Sequence, residues 1–174
     1  MRKYTSKTFS YTLDFKKVDF RKHPELYEIG RGEQGVLLVE PYKSEILPHW
    51  RFKTEKIAEE SSKQILKLFF RYKKEKDFVG MDMARKFLQM GYTRARRYAN
   101  HPTGKKYESN PQKEKTKSLQ KSARKKVIPQ DKNWAISEKA KAARVFYGAY
   151  LKAKNDPVYT EMKQSWKKLP TERG

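Results

Sequence analysis

Seven consecutive residues at 92–98, YTRARRY, hold three arginines and two tyrosines. Arg94, Arg96 and Arg97 carry planar guanidinium forks that grip phosphate oxygens in pairs and stack on nucleobases, while Tyr92 and Tyr98 offer ring faces on which any base can stack. Arg85 and Lys86 precede them on the same helical stretch. Lys105, Lys106, Lys121, Arg124, Lys125 and Lys126 follow, in a segment (102–133) where ten lysines and arginines outnumber three acidic residues. Such a run can track a phosphate backbone and release its counterions, so that six to ten contacts would weaken binding by roughly 10³ to 10⁵ between low and moderate salt. A basic helix face is also what an ordinary solvated surface presents. The adjoining basic segment is what favours a polyanion partner, and nucleic acid is the expected one.

A second group of reactive side chains lies in RGEQGVLLVEPYKSEILPHWRF at 31–52, where Glu33, Glu40, Lys43 and Glu45 surround one short apolar run. A carboxylate at a strand end followed by lysine is similar to the arrangement in metal-dependent nucleases, whose acids hold a divalent ion while the lysine orients water. Here two residues, one of them Pro41, separate Glu40 from Lys43. These four residues are the candidates for an enzymatic alternative. His23 and His49 have no second histidine at ligand spacing, so neither a metal site nor a cofactor is expected. Gly30, Gly32 and Gly35 lack the lysine and spacing of a phosphate loop.

The 174 residues suit one domain, and the apolar and charged shares are equal at 36%. The formal charge of +22 arises from 42 lysines and arginines against 20 acids, far beyond what solubility needs. Cysteine is absent, which excludes disulfides, thiolate zinc sites and thiol nucleophiles. No apolar run reaches membrane-spanning length, and the start MRKYTSKTF lacks the core of a secretory signal, so a cytoplasmic protein is expected. A third functional alternative is a structural or interaction protein whose positive surface meets an acidic protein or a particle.

Several elements must position these residues. Residues 8–20 alternate Phe9, Tyr11, Leu13 and Phe15 with polar neighbours, the period of a strand, and VLLVE at 36–40 reads as a buried second strand ended by Pro41. Thr54 is placed to cap a helix whose inner side holds Ile57, Ala58, Ile65, Leu68, Phe69 and Tyr72. A second long helix runs from about Phe78 to Asn100, with Met81, Ala84, Leu88, Ala95 and Ala99 as its apolar stripe and Lys86 and Arg97 about opposite. Gly91 in its middle points to close packing or a bend. Ser137 can cap a helix with Ala140, Ala143, Tyr147, Tyr150 and Leu151 inward, and Pro157 starts a last one.

The expected architecture is therefore α+β and mainly helical: a small N-terminal antiparallel sheet packed by two long central helices (1–101), a basic flexible arm or long loop (102–133), and a C-terminal helical pair (134–174) folding back on the same domain. The runs GRGEQGVLLVEPYKSEILPHWRFKT at 30–54 and DFVGMDMARKFLQMGYTRARRYANH at 77–101 resemble a family catalogued as domain of unknown function number 4385, found in bacteria, their phages and some lower eukaryotes. The resemblance extends from about residue 8 to 169. It implies a single intracellular domain and supplies no catalytic residues.

Overall fold

The computed structural model describes residues 11–169. Six α-helices make up its architecture: α1 (Tyr42–Ile46), α2 (Glu55–Lys74), α3 (Phe78–Asn100), α4 (Lys117–Lys125), α5 (Glu138–Lys154) and α6 (Pro157–Lys168). Three of them, α2, α3 and α5, pack on one another to form the core. Each starts on a side chain that accepts a hydrogen bond from an otherwise unpaired backbone N–H. Thr54 Oγ1 accepts from Ile57 N at 3.2 Å, an oxygen of the Asp77 carboxylate from Gly80 N at 2.9 Å, and Ser137 Oγ from Ala140 N at 3.2 Å.

The expected N-terminal antiparallel sheet does not form. Among the described residues the only β pairing is an isolated antiparallel bridge between Tyr107 and Val127. Residues 11–20 form turns instead, while the remainder of the expected first strand, including Phe9, lies outside the described residues. The reason lies in the two aspartates. The Asp14 carboxylate accepts from Lys16 N, and that of Asp19 from Arg21 N and Lys22 N, so local bonds replace a partner strand. Through those turns Phe20 still reaches the core and Phe15 stacks on it with ring centroids 5.9 Å apart.

The run at 36–40 is likewise a series of turns. Gln34 N donates to Arg31 O, Val36 N to Glu33 O and Leu38 N to Gly35 O, and Gly32 and Gly35 take positive φ. Val36 and Val39 are buried while Leu37 is exposed, a spacing of three in place of alternation. A continuous apolar run carries no period, and the flanking glycines let the turn conformation win.

Gly91 marks close approach. A Cβ placed there would lie 2.3 Å from the Phe146 ring of α5, so α3 and α5 meet almost backbone to side chain. Gly91→Ala is expected to destabilise the protein by about 1–3 kcal/mol through overpacking, outweighing the ~1 kcal/mol that alanine contributes to helix propensity. Urea unfolding checks this; an unchanged or raised midpoint would show that the interface yields.

α6 closes the other flank. Asp156 accepts from Tyr159 N at 3.1 Å, Tyr159 is buried, and Trp166 donates to Tyr27 O at 3.3 Å with its ring 5.0 Å from that of Phe78. Through this contact α6 fastens the N-terminal segment to α3.

Candidate nucleic-acid interface

The basic residues of α3 divide into two groups with different fates. Lys86, placed by helical periodicity opposite the apolar stripe, and Arg85, placed at its margin, are both buried, because the segment around Tyr27–Val36 covers that side of the first half of the helix. Asp82 sits among them, fully buried, and accepts from the Tyr27 hydroxyl, from the Tyr159 hydroxyl at 2.6 Å and from Arg85 Nη2 at 2.6 Å. Arg85 Nη1 donates to Gly32 O at 2.9 Å and Lys86 Nζ to Gln34 O at 2.8 Å. The two cations therefore hold the 32–34 loop by its carbonyls. They do not belong to a ligand-facing surface.

One carboxylate serves two buried cations, and the titration of the group reflects it. Burial alone would push the Asp82 carboxyl up, but Arg85, Lys86 and the two tyrosine hydroxyls together hold it below the ordinary carboxylate range. Burial pushes the Lys86 ammonium down to about 8, against the opposing pull of Asp82.

Past the covering segment, the second half of α3 emerges. Arg94, Arg96 and Arg97 are exposed and Tyr92 is half-buried. Glu33 accepts from the Thr93 hydroxyl at 2.9 Å, which marks the edge of the covered region. Arg96 Nη1 donates to the Tyr92 hydroxyl at 2.9 Å and its guanidinium lies 5.9 Å from that ring. Tyr98 is drawn away from this surface. Its ring packs 6.0 Å from Phe52, against Gly104, with Lys139 Nζ 5.7 Å away.

The segment 102–133 leaves from the last turn of α3 and returns to it. Asp131 N donates to Asn100 O at 2.8 Å and Gln130 Nε2 to Asn100 Oδ1 at 2.9 Å. Farther out, Glu108 N donates to Lys126 O at 3.0 Å and Ile128 N to Lys106 O at 2.8 Å, so the two legs pair across the Tyr107–Val127 bridge. Beyond them α4 packs on the turn at Pro111–Lys113, with Ala123 and Pro111 buried. At 100° per residue, Lys117, Lys121, Arg124 and Lys125 share an arc of about 100° on α4, opposite Leu119 and Ala123. Lys105, Lys106, Lys121, Arg124, Lys125 and Lys126 are all exposed. None of these six, nor Arg94, Arg96 or Arg97, forms an ion pair with another of the described residues.

The four carboxylate-region candidates are not gathered into one site. Glu40 accepts from Ser44 N and Ser44 Oγ and pairs with Lys43 at 3.4 Å. Glu45 accepts from both terminal guanidinium nitrogens of Arg21, at 2.7 and 2.9 Å, and from Arg71 and the Tyr72 hydroxyl. The Arg21 hydrogen bonds hold its carboxyl below the ordinary range, opposing partial burial. Glu33 is engaged with Thr93. Among the described residues no group of three or more His, Cys, Asp or Glu side chains is arranged to hold a metal ion.

Two tyrosines of α5 lie beside this surface. Tyr147 and Tyr150 were expected inward on α5, yet Tyr147 is 44% exposed and its ring lies 4.8 Å from that of Tyr92 on α3. Tyr150, half-buried, follows 6.3 Å from Tyr147, with Lys154 Nζ 5.7 Å from its ring. The inward side of α5 is built from alanines, at 140, 142, 143, 149 and 153, with Phe146 the single large residue among them. That alanine pattern is the available signal that the tyrosines lie on the border.

Among the described residues no helix is long and apolar enough to cross a membrane. No curated protein and no solved structure matches the chain. Residues 10–169, nearly its whole length, match the family described as "Domain of unknown function (DUF4385)", and the chain belongs to that family.

Proposed function

We propose that the protein binds nucleic acid through the phosphate backbone, with little choice of sequence. The observation that carries this reading is the continuity of cations that form no ion pair with another described residue, from Arg94 and Arg97 at the end of α3 into the 102–133 lobe fastened to that same end. Charges that served only solubility would gain from interspersed carboxylates, and surface cations that served stability would be paired. Here the lobe carries ten cations against three acids. Arginine forks at its base clamp phosphates and the lysines of α4 follow the backbone as point charges. A cytoplasmic site of action goes with this reading.

Fluorescence anisotropy with labelled DNA and RNA, each as single strand and duplex, tests the proposal over a range of salt. The expected result is binding that falls linearly in log–log form, with a slope reporting several phosphates. Micromolar or weaker binding that ignores salt would overturn it. Co-purification with and without nuclease separates direct binding from capture by an acidic protein.

A further inference from the structure

We propose that the α3–α5 border is a stacking platform for unpaired bases, so that a single strand is the preferred form of the nucleic acid proposed above, on which this inference rests. The rings of Tyr92, Tyr147 and Tyr150 form a row, with centroids 4.8 and 6.3 Å apart, and a cation stands at each end: Arg96 at 5.9 Å from the Tyr92 ring and Lys154 at 5.7 Å from that of Tyr150. The central ring is the most open, while the half-buried outer two hold it in place. Neither terminal cation is ion-paired with another described residue. A phosphate can therefore bind at either end while a base lies on Tyr147.

Gly148 supplies a second, independent observation. It is exposed in the middle of α5, and a Cβ added there would meet nothing within 4 Å. Packing does not call for glycine at this position, although glycine costs about 1 kcal/mol against alanine in a helix interior. Without a side chain there, the helix backbone next to Tyr147 stays uncovered, with exposed Arg144 four residues before it and exposed Lys152 four residues after it on the same face. A polyanion backbone can approach the helix closely there while its base turns onto the tyrosine. Bases stacked inside a duplex have no face to offer, so the platform selects unpaired nucleotides.

The test compares three oligonucleotides with equal numbers of phosphates: oligo-dT, an abasic strand, and a duplex, titrated into the full chain by anisotropy. Oligo-dT is expected to bind about tenfold more tightly than the abasic strand, the worth of one good stack. Tyr147→Ala removes that margin and leaves the salt slope unchanged, whereas Tyr147→Phe keeps the margin. Thermal melts of both variants within a few degrees of the parent exclude misfolding as the cause. Equal binding of dT and abasic strands, or a Tyr147→Ala protein that still tells them apart, overturns the platform and leaves backbone binding standing. Salt-dependent binding to none of the three overturns both.

Discussion

Replacing Asp82 by asparagine is expected to cost the fold about 3–5 kcal/mol, a large part of the total stability of a domain this size. The substitution keeps shape and most hydrogen-bonding capacity but removes the charge opposing Arg85 and Lys86, both buried. Two like charges would then share a site out of water, with the Gly32 and Gln34 carbonyls, the Gln89 side-chain oxygen and the Tyr159 hydroxyl as neutral partners. Urea unfolding gives the number; a loss below about 1 kcal/mol would show that water reaches the group.

The pH dependence of the same protein gives a second reading of this site. Lys86 titrates near 8 in the folded chain and at the ordinary 10.5 once unfolded, so between those values the unfolded chain holds more protons and stability rises with pH. Near pH 10 the raised tyrosines, Tyr27 most directly, begin to act in the opposite sense, because the folded chain then holds the extra protons. In Asp82→Asn the pull that keeps the Lys86 proton is gone. Its rise in stability with pH is expected to start below 8, detectable as a steeper dependence of the urea midpoint between pH 7 and 9.

The largest functional effect is expected from emptying the basic arc of α4. Alanine at Lys117, Lys121, Arg124 and Lys125 together preserves helix propensity and leaves the buried Ala123 contact in place. If each side chain neutralises one phosphate, the log–log salt slope falls by about three to four, and affinity at moderate salt drops on the order of 10²-fold. A slope that does not move would place the contacted phosphates elsewhere on the molecule. Arg94→Ala and Arg97→Ala, singly, are expected to lower the slope by about one each.

Helices were legible where a cap, a period and a stop coincided, as at Thr54, Ser137 and Pro157. The expected strands fail to form for local reasons. Alternation over residues 11–20 describes which side chains are apolar, and it does not register that Asp14 and Asp19 can close turns on their own neighbours. In α3 a helical wheel separates polar from apolar sides, but it cannot show that a distant segment will cover part of the polar side. Lys86 and Arg97 share that side; one lies under Gln34 and the other meets solvent. A signal was present in the sequence: Asp82 lies three and four residues before Arg85 and Lys86, the spacing at which one carboxylate serves both. The Tyr92–Tyr147 contact joins two helices far apart in the chain, beyond the reach of local periodicity.

Both legs of the basic lobe end on Asn100, and this turns a run of charges into a tethered second hand. On the proposed function, a strand held at Arg94 or Arg97 would present its next phosphates to α4 as an intramolecular event, at an effective concentration set by the paired legs and independent of how much protein is present. Loosening the Asn100–Gln130 contact would leave each cation in place yet dilute the second grip, so occupancy would fall through geometry with the net charge unchanged.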